Sequence, residues 1–391
     1  MLMASILFLI LLSLSYSMDL NTALQKALAN HPSIKALEEE LKGLDGKAIT
    51  YRSYLNPTLG VEFGNFGTSV ESYKKNPVYK FSYSQPFFLY PVGELSKRAV
   101  SFEKLALKEK IEEQKNLVKS ETYRAFYKAL YYKELLKIYQ ESYQMSEEIY
   151  SFTKRLFELG ETTKLELFRA ERELKLAKID LDLAKKEYES ALSELSFWVG
   201  EKVEDVEGFL EELRDIKPLN LESLPQLRYY QNSIKGILAS VELEKALAKP
   251  QTSVEVFGEK VSDSSYGFRV ALSFTLPLFY RREGEILELL AKKESLQKQK
   301  SLEEMRINSE LKSLNLRYEA LKDSIKEVEK MLNTAKEELK LAVKSYRLKT
   351  ITALELSETK RRYLELLKYR AELLLKAHEE FAKYLLLGGS L

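Results

Sequence analysis

The sequence predicts a mainly α protein with a small β part, built from long antiparallel helical hairpins. Three observations carry this expectation. Two proline-free stretches, from Gly93 to Leu156 and from Glu283 to Arg347, are rich in Leu, Glu, Lys, Ala and Tyr. Each reads as one helix of roughly 64 residues, about 95 Å at 1.5 Å per residue. Apolar residues recur along these stretches and their return helices at alternating steps of three and four. Ahead of each long helix lies a pair of segments with period-two alternation, the pattern of strands.

The chain also repeats itself. Pro57 with Val61, Glu62 and Phe63 recurs as Pro250 with Val254, Glu255 and Val256, an offset of 193 (250 − 57). Pro86 in Gln85-Pro86-Phe87-Phe88 recurs as Pro277 in Leu276-Pro277-Leu278-Phe279, an offset of 191 (277 − 86). Phe157, Leu159, Thr163 and Glu166 recur as Tyr346, Leu348, Thr352 and Glu355, an offset of 189 (346 − 157). The order of matches defines two structural repeats, 18–208 and 209–391.

Composition narrows the function. The chain of 391 residues is 31% charged yet carries a net charge of only +2, which leaves no bulk field to attract nucleic acid. It has no cysteine, which excludes disulfides and thiolate metal sites, and only two histidines, His31 and His378. No P-loop, no Gly-x-Ser-x-Gly elbow and no metal-ligand cluster is present, so neither an enzyme activity nor a cofactor or metal is expected.

Read in order, residues 1–17 form an export signal: the apolar run Ile6 to Leu12 precedes small residues at Ser15 and Ser17, and cleavage is expected after Ser17. A short helix follows. The first strand pair is 57–66/78–87, where Leu59, Val61 and Phe63, and then Tyr79, Phe81 and Tyr83, alternate with polar residues or glycine. The first hairpin spans 92–198. Its return helix has a seam through Leu167, Ala170, Leu174, Ala177, Leu181, Ala184, Tyr188, Ala191, Leu195 and Trp198. A segment from Val199 to Pro225, acidic and interrupted by Pro218 and Pro225, separates the repeats. The second repeat contains a helix at 221–249, a strand pair at 250–260/266–276 and a hairpin at 281–387. The last helix places His378 in an apolar seam with Leu374, Phe381 and Leu385, so His378 reads as a packing residue.

The strands have one apolar, aromatic face and one polar face, and they run to roughly nine or ten residues, the length that crosses a bilayer when tilted. On the apolar face, Phe81, Tyr83, Val270 and Phe274 are the expected lipid contacts. Four strands cannot close a barrel. Either they form a small soluble sheet or several chains pool them; three copies would give twelve.

The chain resembles the TolC-like outer-membrane efflux family over essentially all of the sequence after the signal. The resemblance rests on Leu20-Asn21-Thr22-Ala23-Leu24-Gln25-Lys26-Ala27-Leu28 followed by Asn30-His31-Pro32-Ser33-Ile34, on Gln85-Pro86-Phe87-Phe88, and on the duplicated order of elements. It implies a homotrimer in which the helical hairpins form a periplasmic α-barrel continuous with a 12-stranded transmembrane β-barrel in the outer membrane, four strands from each chain. It also implies a periplasmic adaptor protein and an inner-membrane transporter as partners. In that setting the chain is a channel for efflux or type I secretion.

The second helix tip is similar to the family pattern of an aromatic, a glycine and two carboxylates three residues apart. Here the pattern falls on Tyr346, Lys349, Glu355 and Glu358, with Lys349 in the place of the glycine. Glu355 and Glu358 share a helical face, and threefold symmetry would turn each into a ring of charge around a narrow pore. Glu166 holds the matching position in the first tip. Ile351 stands where some members carry a locking arginine, so a lock in this chain must use other partners, Lys349 or Arg347. By the same resemblance Leu159, Gly160, Leu348 and Thr350 are expected to contact the adaptor. Two rivals remain at this stage, a periplasmic adaptor itself and a soluble coiled-coil scaffold; the first should have one hairpin rather than two, and the second leaves the apolar strand faces unexplained.

Overall fold

The structure is a computed structural model that describes residues 17–65, 70, 71, 77–261 and 265–391. The expected export signal therefore lies outside the described residues except for Ser17. In chain order the elements are β1 (Ser17–Met18), α1 (Leu20–Asn30), α2 (Pro32–Arg52), β2 (Thr58–Asn65), β3 (Pro77–Phe87), α3 (Val92–Glu158), α4 (Lys164–Val199) and β4 (Asp205–Val206). They continue with α5 (Pro225–Leu247), β5 (Gln251–Val261), β6 (Ser265–Thr275), α6 (Glu283–Arg347) and α7 (Ala353–Leu386). This is the mainly α fold with a small β part that the sequence predicts.

Prolines explain where the structure departs from the sequence reading. The expected short helix is two helices, because His31 leaves the helix in an extended conformation and Pro32 opens α2. The helix expected at 221–249 begins only at Pro225. Ahead of it, Leu221–Ser223 forms a 3₁₀ turn capped by the Asn220 side chain, and Leu224 is held extended before the proline. The two-residue parallel ladder of β1 and β4 was not foreseen at all.

The chain forms two compact units, each assembled from segments of both sequence repeats. The first comprises residues up to Ala36, Glu112–Leu224 and Met305–Leu391. Its core is built by the three-and-four seams: Leu314, Tyr318, Ile325, Val328, Leu332, Ala335, Leu339 and Tyr346 of α6 are all buried. In α4 the buried seam residues Ala170, Ala177, Ala184 and Ala191 recur every seven residues, small side chains that let helix backbones approach closely. Each leucine fully buried in such a seam contributes about 1.5–3 kcal/mol.

Polar groups tie the segment 203–216 to this core. His378 of α7 is 1% exposed and stacks on Tyr127 of α3 at 3.4 Å between ring centroids. Its Nε2 lies 2.8 Å from the Leu210 carbonyl oxygen, which can only accept, so Nε2 carries the proton. Nδ1 therefore accepts from the Tyr123 hydroxyl, 2.8 Å away. Asp205 accepts from Lys133 at 2.7 Å and from the Tyr188 hydroxyl.

The second unit comprises Leu37–Ile111 and Pro225–Glu304 and contains an antiparallel sheet in the order β2-β3-β5-β6. Register aligns Val61, Phe81, Gly258 and Phe268 across the four strands, and in the next apolar row Leu59, Tyr83, Val256 and Val270. Side chains alternate, so these rows share one face. Gly258 leaves room for its neighbour's ring: a Cβ added there would lie 3.2 Å from Phe268. The opposite face is polar, with Lys80 3.5 Å from Glu255 and over the Phe257 ring, and Arg269 2.6 Å from Glu259. The outer edges of β2 and β6 pair with no strand among the described residues.

Candidate functional site

Both long helices end in the same way, and the reason is local. At the end of α3 the Gly160 amide donates to the Phe157 carbonyl at 2.9 Å and the Glu161 amide to Leu156 at 2.8 Å. At the end of α6 the Lys349 amide donates to Tyr346 at 3.0 Å and the Thr350 amide to Ser345 at 2.9 Å. This pair of bonds is the Schellman cap, and it requires a left-handed residue at its centre. Gly160 supplies φ +72° and Lys349 φ +59°. The lysine takes the strained conformation at a cost of about 1 kcal/mol, which glycine avoids. Threonine then starts each return helix: Thr163 accepts from the Glu166 amide at 3.3 Å and Thr352 from the Glu355 amide at 3.2 Å.

The two turns are joined. Lys349 Nζ lies 2.5 Å from Glu161 Oε2, an ion pair between exposed side chains of the two hairpins. Leu159, Gly160, Leu348 and Thr350 surround this pair as exposed turn residues, with Leu159 72% and Leu348 65% exposed.

The predicted gate residues fall in different environments. Glu358 is exposed on the α7 surface. Glu355 is exposed too, but its carboxylate folds back to accept from the Thr352 backbone amide at 2.7 Å and completes a capping box. Those bonds from Thr352 hold its pKa below the ordinary glutamate value. Glu166 is half-buried and accepts from Arg169 at 2.7 Å. Tyr346 departs from the pattern expected for a pore-lining residue. It is 7% exposed, packs edge-on to Phe152 and shares a 2.7 Å hydrogen bond with Thr153, because its position belongs to the α6 seam that packs against α3.

Sequence reasoning missed Glu161, Thr153 and a buried lysine. Lys360 of α7 is 7% exposed and donates to Ser146 Oγ at 2.6 Å and to the Ser142 carbonyl at 3.4 Å. Burial lowers its pKa, partly offset by the more distant charges of Glu173 and Asp180. The signal for Lys360 was legible, since it continues the spacing of Ala353 and Leu356 towards Leu364. Nothing local signals the other two.

In the sheet, Phe81, Tyr83, Val270 and Phe274 project from the same face and are 58%, 41%, 72% and 52% exposed. No helix among the described residues is long and apolar enough to cross a membrane.

Comparison with known proteins bears on this arrangement. Residues 23–201 match the family model of the outer membrane efflux protein. No functionally curated protein matches the sequence significantly. Among solved structures, the Campylobacter jejuni CmeC outer membrane channel is similar with a TM-score of 0.76 at 14% identity, over 95% of this chain and 86% of that one. CusC, solved in a study of its folding and transmembrane channel formation, is similar with a TM-score of 0.79 at 14% identity, over 97% and 94%. The open state of the Neisseria gonorrhoeae MtrE outer membrane channel gives a TM-score of 0.74 at 18% identity, over 95% and 89%.

Proposed function

We propose that this chain is a member of the TolC-like outer-membrane efflux family, assembles as a homotrimer and conducts cargo across the outer membrane from a periplasmic adaptor and an inner-membrane transporter. The observation that carries this reading is the four-stranded sheet: one face carries rows of exposed apolar side chains, among them Leu59, Val61, Phe81, Phe268 and Val270, and neither outer edge pairs with a strand among the described residues. A sheet with those properties in water would aggregate. Three copies placed edge to edge close a twelve-stranded barrel whose outer face meets lipid through Phe81, Tyr83, Val270 and Phe274. The face carrying Lys80, Glu255, Glu259 and Arg269 then lines water.

The helical hairpins continue the conduit into the periplasm, and their tips control its end. Glu358 and Glu355 each form a ring of three carboxylates, with the capping bonds of Glu355 fixing its ring to the start of α7. Glu166 contributes the corresponding ring from the first hairpin. Such rings hold water and favour cations. The Lys349 and Glu161 pair is the closed-state tie that takes the place of an arginine lock, and Tyr346 supports it from within the helix seam. Leu159, Gly160, Leu348 and Thr350 receive the adaptor. The chain carries out no covalent chemistry; the transporter supplies the energy.

Fractionation tests the reading. The protein should be recovered with outer membranes as a trimer that resists mild heating in detergent and forms conducting pores in planar bilayers. Recovery in the soluble periplasm would contradict it.

A further inference from the structure

Lys360 is the one position in the first part of the α7 seam where a cation replaces an apolar side chain, between Leu356 and Leu364. Its ammonium is removed from water yet has one short hydrogen bond, to Ser146, and one long contact, to the Ser142 carbonyl. No carboxylate forms an ion pair with it among the described residues; Glu173 and Asp180 act on it only at a distance, and burial outweighs them. A buried ammonium with so little compensation is costly to the fold, and a bound anion would remove that cost.

Lys360 is one of the residues that line a cavity of about 560 Å³. The apolar part of its wall is formed by Ile149 and Phe152 of α3, Leu339 and Val343 of α6 and Leu356 of α7. Arg155 and Arg347 also line it, and neither forms an ion pair among the described residues. Glu147 and Glu148, also on the lining, leave three cations against two carboxylates. The volume is in the range of small-molecule sites, which pair apolar walls with a few placed polar groups.

We propose that this cavity binds an amphipathic organic anion, its carboxylate on Lys360 and its apolar body between Phe152, Leu339 and Val343. A ligand there contacts α3, α6 and α7 at once, close to Tyr346 and the ends of both long helices, and so stiffens the tip region when bound. The assignment stands apart from the channel reading, because binding is measured without transport.

The test uses the full-length protein purified in detergent in its assembled state, with equilibrium dialysis of sodium 2-naphthoate and its neutral counterpart 2-naphthamide. The wild type should bind the naphthoate saturably and at least tenfold more tightly than the amide. Lys360→Met should lose at least tenfold in naphthoate affinity and with it the preference for the anion. Val343→Trp, which fills the cavity and keeps the ammonium, should abolish binding of both, with circular dichroism verifying that each variant is folded. The proposal is overturned by an absence of saturable binding, by equal affinity for the amide, or by undiminished binding to Val343→Trp. Should Lys360→Met fail to fold, the amide comparison and the Val343→Trp result still decide.

Discussion

Lys349 and Glu161 are 188 positions apart in sequence and 2.5 Å apart in space, and their ion pair is a direct polar bond between the turns of the two helical hairpins. An exposed pair of this kind contributes roughly 0–1 kcal/mol to stability. On the proposed channel reading the pair favours the closed state by tying together two ends that separate on opening, so its loss shifts the closed–open balance. Lys349→Ala or Glu161→Ala should leave the melting temperature nearly unchanged and raise single-channel open probability in planar bilayers several-fold. The charge-exchanged double variant, Lys349→Glu with Glu161→Lys, should return it towards the wild-type value. High salt should mimic the single variants, since it screens exposed charges.

The left-handed residues at the two turns give a second expectation. Nothing lies within 4 Å of a Cβ added at Gly160, so Gly160→Ala meets only backbone strain. It should cost about 1 kcal/mol and no more. In a Glu161→Ala background, where the ion pair is already absent, Lys349→Gly should do the reverse and stabilise by up to about 1 kcal/mol. Chemical denaturation of the wild type and these three variants checks both signs; a stabilising Gly160→Ala would mean that the turn is not held in the left-handed form.

Acid should loosen the core around segment 203–216. Burial pushes the His378 pKa down to about 4, against an ordinary value near 6.5. The folded state therefore binds fewer protons than the unfolded state between these two values, and stability falls as pH drops from about 6.5 to 4. The loss is at most about 1.4 kcal/mol per pH unit, roughly 3 kcal/mol in all. His378→Gln should be less stable at neutral pH and should show a shallower decline across that window. Melting temperatures recorded by circular dichroism from pH 7 to pH 4 separate the two profiles.

Glu355 and Glu358 test the pore. Replacing both with alanine should lower the preference for cations over anions in reversal-potential measurements. Glu355→Ala alone also removes one arm of the capping box, so Glu355→Gln is the cleaner single variant: it removes the charge and keeps a side chain able to accept from Thr352. Unchanged selectivity in the double variant would return both residues to an ordinary solvated helix face.

Much of the fold was legible because its rules are local. The period-two strands and the seam from Leu314 to Tyr346 each follow from residues a few positions apart, whereas Pro86, expected at the turn into the long helix, lies within β3. Pro225 was legible as a break but not as a helix start, and Pro32 was read as neither; both starts depended on the extended backbone of His31 and Leu224 just before them. The site was less legible. Glu355 reads as a charge on a surface, and the repeat spacing located it, but its use as a cap partner was hidden in the Thr352 backbone. Tyr346 aligned with a pore pattern while its seam position fixed it inside. Glu161 meets Lys349 only through tertiary packing, which no spacing in the sequence encodes. Lys360 is the opposite case, a break in a clean heptad pattern that marked a buried charge in plain view.

The central claim is that three chains join their sheets edge to edge, β2 of one protomer against β6 of the next. The chain has no native cysteine, so engineered pairs report this contact without background. Glu62→Cys combined in turn with cysteine at Gly267, Arg269, Ala271 and Ser273 scans the possible registers on the water-facing side of the sheet. Oxidation of outer membranes should give, for at least one pair, a ladder on denaturing gels that ends at three covalently linked chains. A scan in which no pair links one chain to another, or a ladder that stops at two or runs beyond three, would contradict the twelve-stranded barrel.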